Sequence, residues 1–220
     1  MPANTLPERC HRAIMSLLLL TGVRISALTT LCLCHVDLEN HCIRQDASQV
    51  AVKNGKSQIT FFFALFEEAE AALTTYCLEL QRYNYPREGL LFPPERVLTG
   101  MEQERSPVSA QAAGVRRSGK SIRQMLADAL AAIDAPYVHP HQIRKTIAQH
   151  YAALPLTEEQ RMAIEINLGH EPSGTTNRYY ARPSTEKRGR VIRFIGKRNG
   201  VDLSAASKDE LLAELNRRMA

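Results

Sequence analysis

Apolar positions in this chain follow helical spacing over most of its length and strand-like alternation only in one short central stretch. Glu8 to Leu20 has the helical period, and from Ile14 onward nearly every position is apolar, the mark of an element buried all round. Thr21-Gly22 interrupts it, and Val23 to Leu33 resumes an apolar, mostly helical pattern. Between Asp37 and Phe63 the character changes. Val50-Ala-Val52, then Lys53-Asn-Gly-Lys56, then Ile59 to Phe63 predicts two strands joined by a tight Asn-Gly turn, and a third strand fits Cys42 to Gln45. Phe66 to Tyr83, rich in Ala, Leu and Glu, predicts an amphipathic helix.

Asn84 to Ala113 carries Pro86, Pro93, Pro94 and Pro107 with few periodic apolar positions, so it is expected to be mostly loop. Ser118 to Ile133 is helical, and His141 to Ala153 is a helix opening just after Pro140. Thr157-Glu-Glu-Gln160 is a capping-box start for a helix running to Leu168, with Gly169 as its C-terminal turn. Thr175 to Arg182 fits a short helix stopped by Pro183, and Ser207 with Glu210 caps a last one. No internal repeat is visible. The sum is a mostly α-helical domain with a small antiparallel β-sheet (α+β) over residues 1–183, followed by a basic tail over 184–220 that ends in a helix.

Composition narrows this picture without deciding it. A chain of 220 residues with 44% apolar content can bury one core. The apolar run at Leu17 to Leu20 is too short to span a bilayer, and no signal-peptide cleavage pattern accompanies it. Five cysteines without a CxxC pair support neither a zinc site nor a disulfide framework, so a cytoplasmic protein is expected. A net charge of +5 permits nucleic-acid binding without requiring it. The basic residues are clustered: Arg116, Arg117, Lys120 and Arg123 precede or open one helix, and seven more crowd the region from Arg182 to Arg198.

The candidate chemistry lies in three short segments. His141 and Arg144, three apart at a helix start, project from one face. His170 ends the next helix, and Tyr179 follows nine residues later. Arg24 lies in the break between two apolar segments, where burial calls for an anion as partner. A guanidinium can grip two oxygens of one phosphate, so two arginines can hold a phosphoryl group from both sides, the electrostatic role a divalent metal plays elsewhere. Taken singly, each residue is more simply a helix-end hydrogen bonder, a solvated turn or a half-buried ring. Their joint order is what carries the chemistry.

In that order the segments resemble the tyrosine recombinase (phage integrase) family over roughly residues 10 to 182. Thr21-Gly-Val-Arg-Ile-Ser-Ala-Leu-Thr-Thr-Leu31 is similar to its first arginine box, and Val52-Lys-Asn-Gly-Lys-Ser57 resembles its lysine-bearing hairpin. His141 to Arg144 resembles its His-x-x-Arg box and Leu168-Gly-His170 its next one, with Thr175-Thr176 and Tyr179 at the closing threonines and nucleophile. The resemblance implies a site-specific recombinase or integrase that cuts and rejoins double-stranded DNA. Tyr179 would attack the scissile phosphate, Arg24 and Arg144 would clamp it, and His170 would hydrogen-bond it. His141 would assist proton transfer at the tyrosine, and Lys53 would protonate the leaving 5′-oxygen. Lys56 is the alternative acid, and Tyr180 the alternative nucleophile. Neither metal nor other cofactor, small-molecule substrate nor membrane is implied, and the assembly expected on paired DNA sites is a homotetramer.

Two departures from the family stand out. Ala27 occupies a position where the family often has glutamate, and the N-terminal helical clamp domain usual ahead of the first box is absent from this sequence. They leave open a catalytically degenerate DNA-binding module of the same fold, and the shared chemistry also fits a type IB topoisomerase-like enzyme. A separate motif, Gly114-Val-Arg-Arg-Ser-Gly-Lys-Ser121, matches the phosphate-loop pattern GxxxxGK[ST]. That motif needs a hydrophobic parallel strand before it, and Ser106 to Ala113 is small, polar and interrupted by proline. It is expected instead to be a basic loop and helix start, with Lys56, Arg116, Arg117, Lys120 and Arg123 as candidate contacts to the DNA backbone.

Overall fold

The computed structural model describes residues 3–65, 67–104, 108–170 and 182–198. Helix α1 (Leu6–Thr21) runs through the middle of the core, with Leu6, Cys10, Ala13, Ile14, Leu17, Leu18 and Leu20 buried. It starts at a capping box between Thr5 and Glu8, and stops at Gly22, whose φ of 59° is left-handed and whose N–H bonds to Leu18 O at 2.8 Å. The helical pattern from Val23 continues only as a single turn, α2 (Ile25–Leu28), followed by a 3-10 turn at Leu33–His35. The chain leaves the helix at Leu31–Cys32, where it pairs with the Leu90–Leu91 segment.

Three strands, β1 (Val36–Asp37), β2 (Cys42–Gln45) and β3 (Gln58–Phe61), form an antiparallel sheet in the order β1-β2-β3. This corrects the expected pairing. Val50–Val52 is not a strand, and β3 pairs instead with β2 through Cys42↔Phe61, Ile43↔Thr60, Arg44↔Ile59 and Gln45↔Gln58. Asp46 folds the chain into a turn by accepting from the N–H groups of Gln49 and Val50, and Val50 is drawn into the core. The Asn-Gly turn does form, with φ of 61° at both Asn54 and Gly55. It lies inside the longer connection between β2 and β3, so the loop that carries Lys53 and Lys56 projects beyond the sheet.

Helix α3 (Glu67–Arg82) packs along α1. The stretch expected to be loop holds two helices, α4 (Glu95–Glu104) and α5 (Ala110–Ala113). Pro94 opens α4 by accepting from Val97 and Leu98, and Leu98 and Met101 reach the core at i, i+3 spacing. Helices α6 (Gly119–Ala131), α7 (Pro140–Ala152) and α8 (Glu158–Asn167) follow at their expected places, α8 with the Thr157–Gln160 capping box. Helix α9 (Thr185–Arg198) lies across β3 and α8 and sends Ile192 and Ile195 into the same core. The described residues are therefore mostly α with one small antiparallel sheet. The expected helix from 207 lies outside them, as does that at 175–182 apart from Arg182, which is not helical.

Candidate active site

The turn at Gly22 is where three distant segments meet. Gly22 O accepts from Arg144 Nη1 at 2.8 Å across 122 residues of sequence. A Cβ at Gly22 would stand 3.3 Å from Leu168 Cδ2 and 3.4 Å from Arg144 Cγ, so this residue touches the His141–Arg144 helix and the Leu168–His170 turn together. Its positive φ and these contacts both favour glycine. Arg24, two residues on, takes the N-cap of α2 without capping it through its side chain.

His141 is exposed near the start of α7, while Arg144, one turn further along, is buried. The helix begins on Pro140, and the His139 ring and Gln142 side chain supply the cap. His170 is set by the end of α8. Gly169 has a φ of 64°, its N–H bonds to Ile166 O at 2.9 Å, and the His170 N–H bonds to Glu165 O at 2.9 Å. That is a Schellman ending, and it turns the His170 side chain into the cleft.

The cleft, about 880 Å³, is lined by Arg24, Lys53, Lys56, His170, Arg182 and Arg188, with Ala27 at its wall. Its electrostatics point to an anion. Burial, and then the charge of Arg24, pull the Arg144 pKa down to about 10. Arg144 Nη2 is buried with no hydrogen-bond partner, and among the described residues neither Arg24 nor Arg144 is paired with a carboxylate. Desolvation holds His170 below the ordinary imidazole value, and Arg144, Arg24, Lys53 and His141 add to the shift in that order. All four therefore sit close enough to His170 for their charges to reach it.

A bound phosphodiester carries the opposite charge and should raise the His170 pKa again. In an NMR titration of the His170 ring, the free protein is expected to titrate below the ordinary value and the DNA-bound protein above the free one, so binding between the two values takes up a proton. A bound value equal to or below the free one would show that no phosphate sits against this ring.

A family model described as the phage integrase family matches residues 3–186. The chain belongs to the phage integrase family of tyrosine recombinases. It is similar to the tyrosine recombinase XerC of two Pseudomonas putida strains, 27% and 28% identical over 171 residues, which is 78% of this chain. The chain spans about half of those relatives, 48% of their length. Two solved structures share the fold. One is a XerA recombinase, with TM-score 0.53 and 23% identity over 90% of this chain and 65% of that one; the other is the integrase from mycobacterium phage Brujita, with TM-score 0.52 and 13% identity over 87% and 52%.

Within this tyrosine recombinase fold the structure sorts the sequence candidates. Arg24, Lys53, His141, Arg144 and His170 are brought together; Tyr179 and Tyr180 lie outside the described residues. Lys53 and Lys56 both line the cleft, and the charge of Lys53 acts on His170. Arg116, Lys120 and Arg123 are exposed but line no part of the cleft, although the start of α6 abuts Ile25 through Gly119.

Arg117 is a correction. It is 4% exposed, donates to Pro93 O at 3.0 Å, and lies 3.2 Å from His11 Nε2 and 3.7 Å from Glu95 Oε1. It ties α4 to α1 and offers no surface to DNA. The phosphate-loop match is not a nucleotide site: a helical turn, α5, precedes Gly114, and the sheet among the described residues is wholly antiparallel.

Sequence reasoning missed Asn167 and Arg188, both of which close the open edge of β3. Asn167 is fully buried and bonds to both the N–H and C=O of Phe61. Arg188 donates to Ile59 O at 3.0 Å and stands 5.5 Å over the Phe61 ring. Neither had a local signal, since their partners lie more than a hundred residues away. Among the described residues no three His, Cys, Asp or Glu side chains gather as metal ligands, and no helix is long and apolar enough to cross a membrane.

Proposed function

We propose that this chain is a site-specific recombinase that cuts and rejoins double-stranded DNA through a covalent 3′-phosphotyrosyl intermediate. The observation that carries the reading is the half-satisfied Arg144 within the field of Arg24, with His170 and Lys53 lining one cleft and the charge of His141 reaching His170. Arg24 and Arg144 hold the non-bridging oxygens of the scissile phosphate and stabilise the charge that builds on them, and His170 hydrogen-bonds the same group. Tyr179 Oη forms a bond to phosphorus as the P–O5′ bond breaks. His141 takes the phenol proton, and Lys53 gives its proton to the departing 5′-oxygen.

The phosphodiester is exchanged for a phosphotyrosine ester of similar energy, so no ATP is consumed, and two guanidiniums carry the charge that a metal would otherwise carry. A 5′-hydroxyl from a second strand reverses the step. Joining two duplexes in this way requires a homotetramer on paired sites, acting in the cytoplasm where the DNA is. The decisive test is trapping the protein–DNA adduct on a nicked substrate that cannot religate.

The role of Lys53 has a separate chemical test. With ordinary DNA, Lys53→Ala should slow cleavage about 10²–10⁴-fold, the usual size of a general-acid contribution. With a 5′-bridging phosphorothiolate, whose sulfur leaves without needing a proton, the variant should cleave at nearly the wild-type rate. Lys56→Ala, which removes only a contact to the DNA backbone, should change the two rates by the same factor. If the thiolate instead rescues Lys56→Ala, the acid is Lys56.

A further inference from the structure

We propose that Asn167 is a positioning residue for the general acid. Together with Gln58 it locks the strand that follows the Lys53 turn onto the turn that carries His170, so that both groups address one phosphate. The assignment rests on the reading given under Proposed function.

Strand β3 is an edge strand: β2 occupies one side, and the other would leave peptide groups unpaired. Asn167 completes that side. Its Oδ1 accepts from Phe61 N–H at 2.8 Å and its Nδ2 donates to Phe61 O at 2.9 Å, so a single carboxamide stands in for the next strand. A side-chain amide offers one donor and one acceptor as a peptide group does. Asn167 is fully buried at the last position of α8, three residues before His170.

A second tie runs through Gln58, the first residue of β3. Its Nε2 donates to Asn167 O at 2.9 Å and to Thr60 Oγ1 at 2.8 Å. Its Oε1 lies against Gly169, where a Cβ would come within 2.4 Å of it. Only residues 54–57 separate Lys53 from Gln58, and only Leu168 and Gly169 separate Asn167 from His170. The clasp therefore spans the shortest route between the two groups. Lys53, on an exposed turn beyond the sheet, takes its placement from where β3 begins.

Positioning and mere packing make different predictions for the leaving group. Asn167→Asp keeps the acceptor for Phe61 N–H and loses the donor to Phe61 O. Gln58→Ala cuts the second tie at a half-buried position that the core does not depend on. In single-turnover cleavage by the full chain, both variants should be slowed on ordinary DNA by up to about 10²-fold, the effect of misplacing a reacting group by about 1 Å. On the 5′-bridging phosphorothiolate both should return to near the wild-type rate, as Lys53→Ala does, while Arg144→Met should not. Equal losses on the two substrates beside a rescued Lys53→Ala would overturn the assignment alone, as would no loss on either. A wild-type protein that forms no adduct on either substrate would overturn the recombinase reading and the assignment with it.

Discussion

Replacing Arg144 with methionine is expected to lower DNA cleavage by about 10²–10³-fold, the cost of losing one donor aimed at developing charge, while leaving the fold as stable as before or more so. The two effects come from the same environment. Arg144 is 6% exposed, makes one hydrogen bond among the described residues, to Gly22 O, leaves Nη2 unpartnered, and lies within the field of Arg24. Burying such a charge opposes folding, and an apolar side chain of similar length removes that cost. Arg144→Lys should not restore cleavage, because an ammonium cannot grip two oxygens in one plane. Single-turnover cleavage and thermal denaturation on the same variants check both halves. A melting temperature several degrees below wild type would make Arg144 a structural residue and remove the argument that it awaits an anion.

Under the proposed mechanism Tyr179→Phe should abolish the covalent adduct altogether while DNA binding persists, since there the phenol oxygen is the atom that bonds to phosphorus. Tyr180→Phe should still form the adduct. A nicked substrate whose 5′-hydroxyl fragment diffuses away traps the intermediate, which a denaturing gel then resolves. If the adduct survives in Tyr179→Phe and disappears in Tyr180→Phe, the nucleophile is Tyr180. If wild-type protein forms none while binding the substrate, the chain is a DNA-binding module that has kept the fold and lost turnover. Ala27, buried at the cleft wall where the family often has a glutamate, is the residue to blame first in that case.

What could be read along the chain was local. The Thr157–Gln160 box, the glycine stops at Gly22 and Gly169, and the Asn54-Gly55 turn each form from contacts within a few residues, so their sequence signatures sufficed. The spacing of the boxes also reported the family, because it is carried by residue types that the family's chemistry requires. The same signatures did not reveal what those local pieces would meet.

The tertiary structure decided that β3 pairs with β2 and leaves Val50 to the core, because register answers to burial and not to the nearest tight turn. It turned Arg117 from a surface cation into an interior tie, and it placed Asn167 where the missing strand of the sheet would be. These outcomes depend on hydrogen bonds between groups far apart in the chain, 106 residues in the case of Asn167 and Phe61. By itself the sequence determined which side chains could hold a phosphate. Only the packing around Gly22 decided that Arg24, Arg144 and His170 stand within reach of one another's charge.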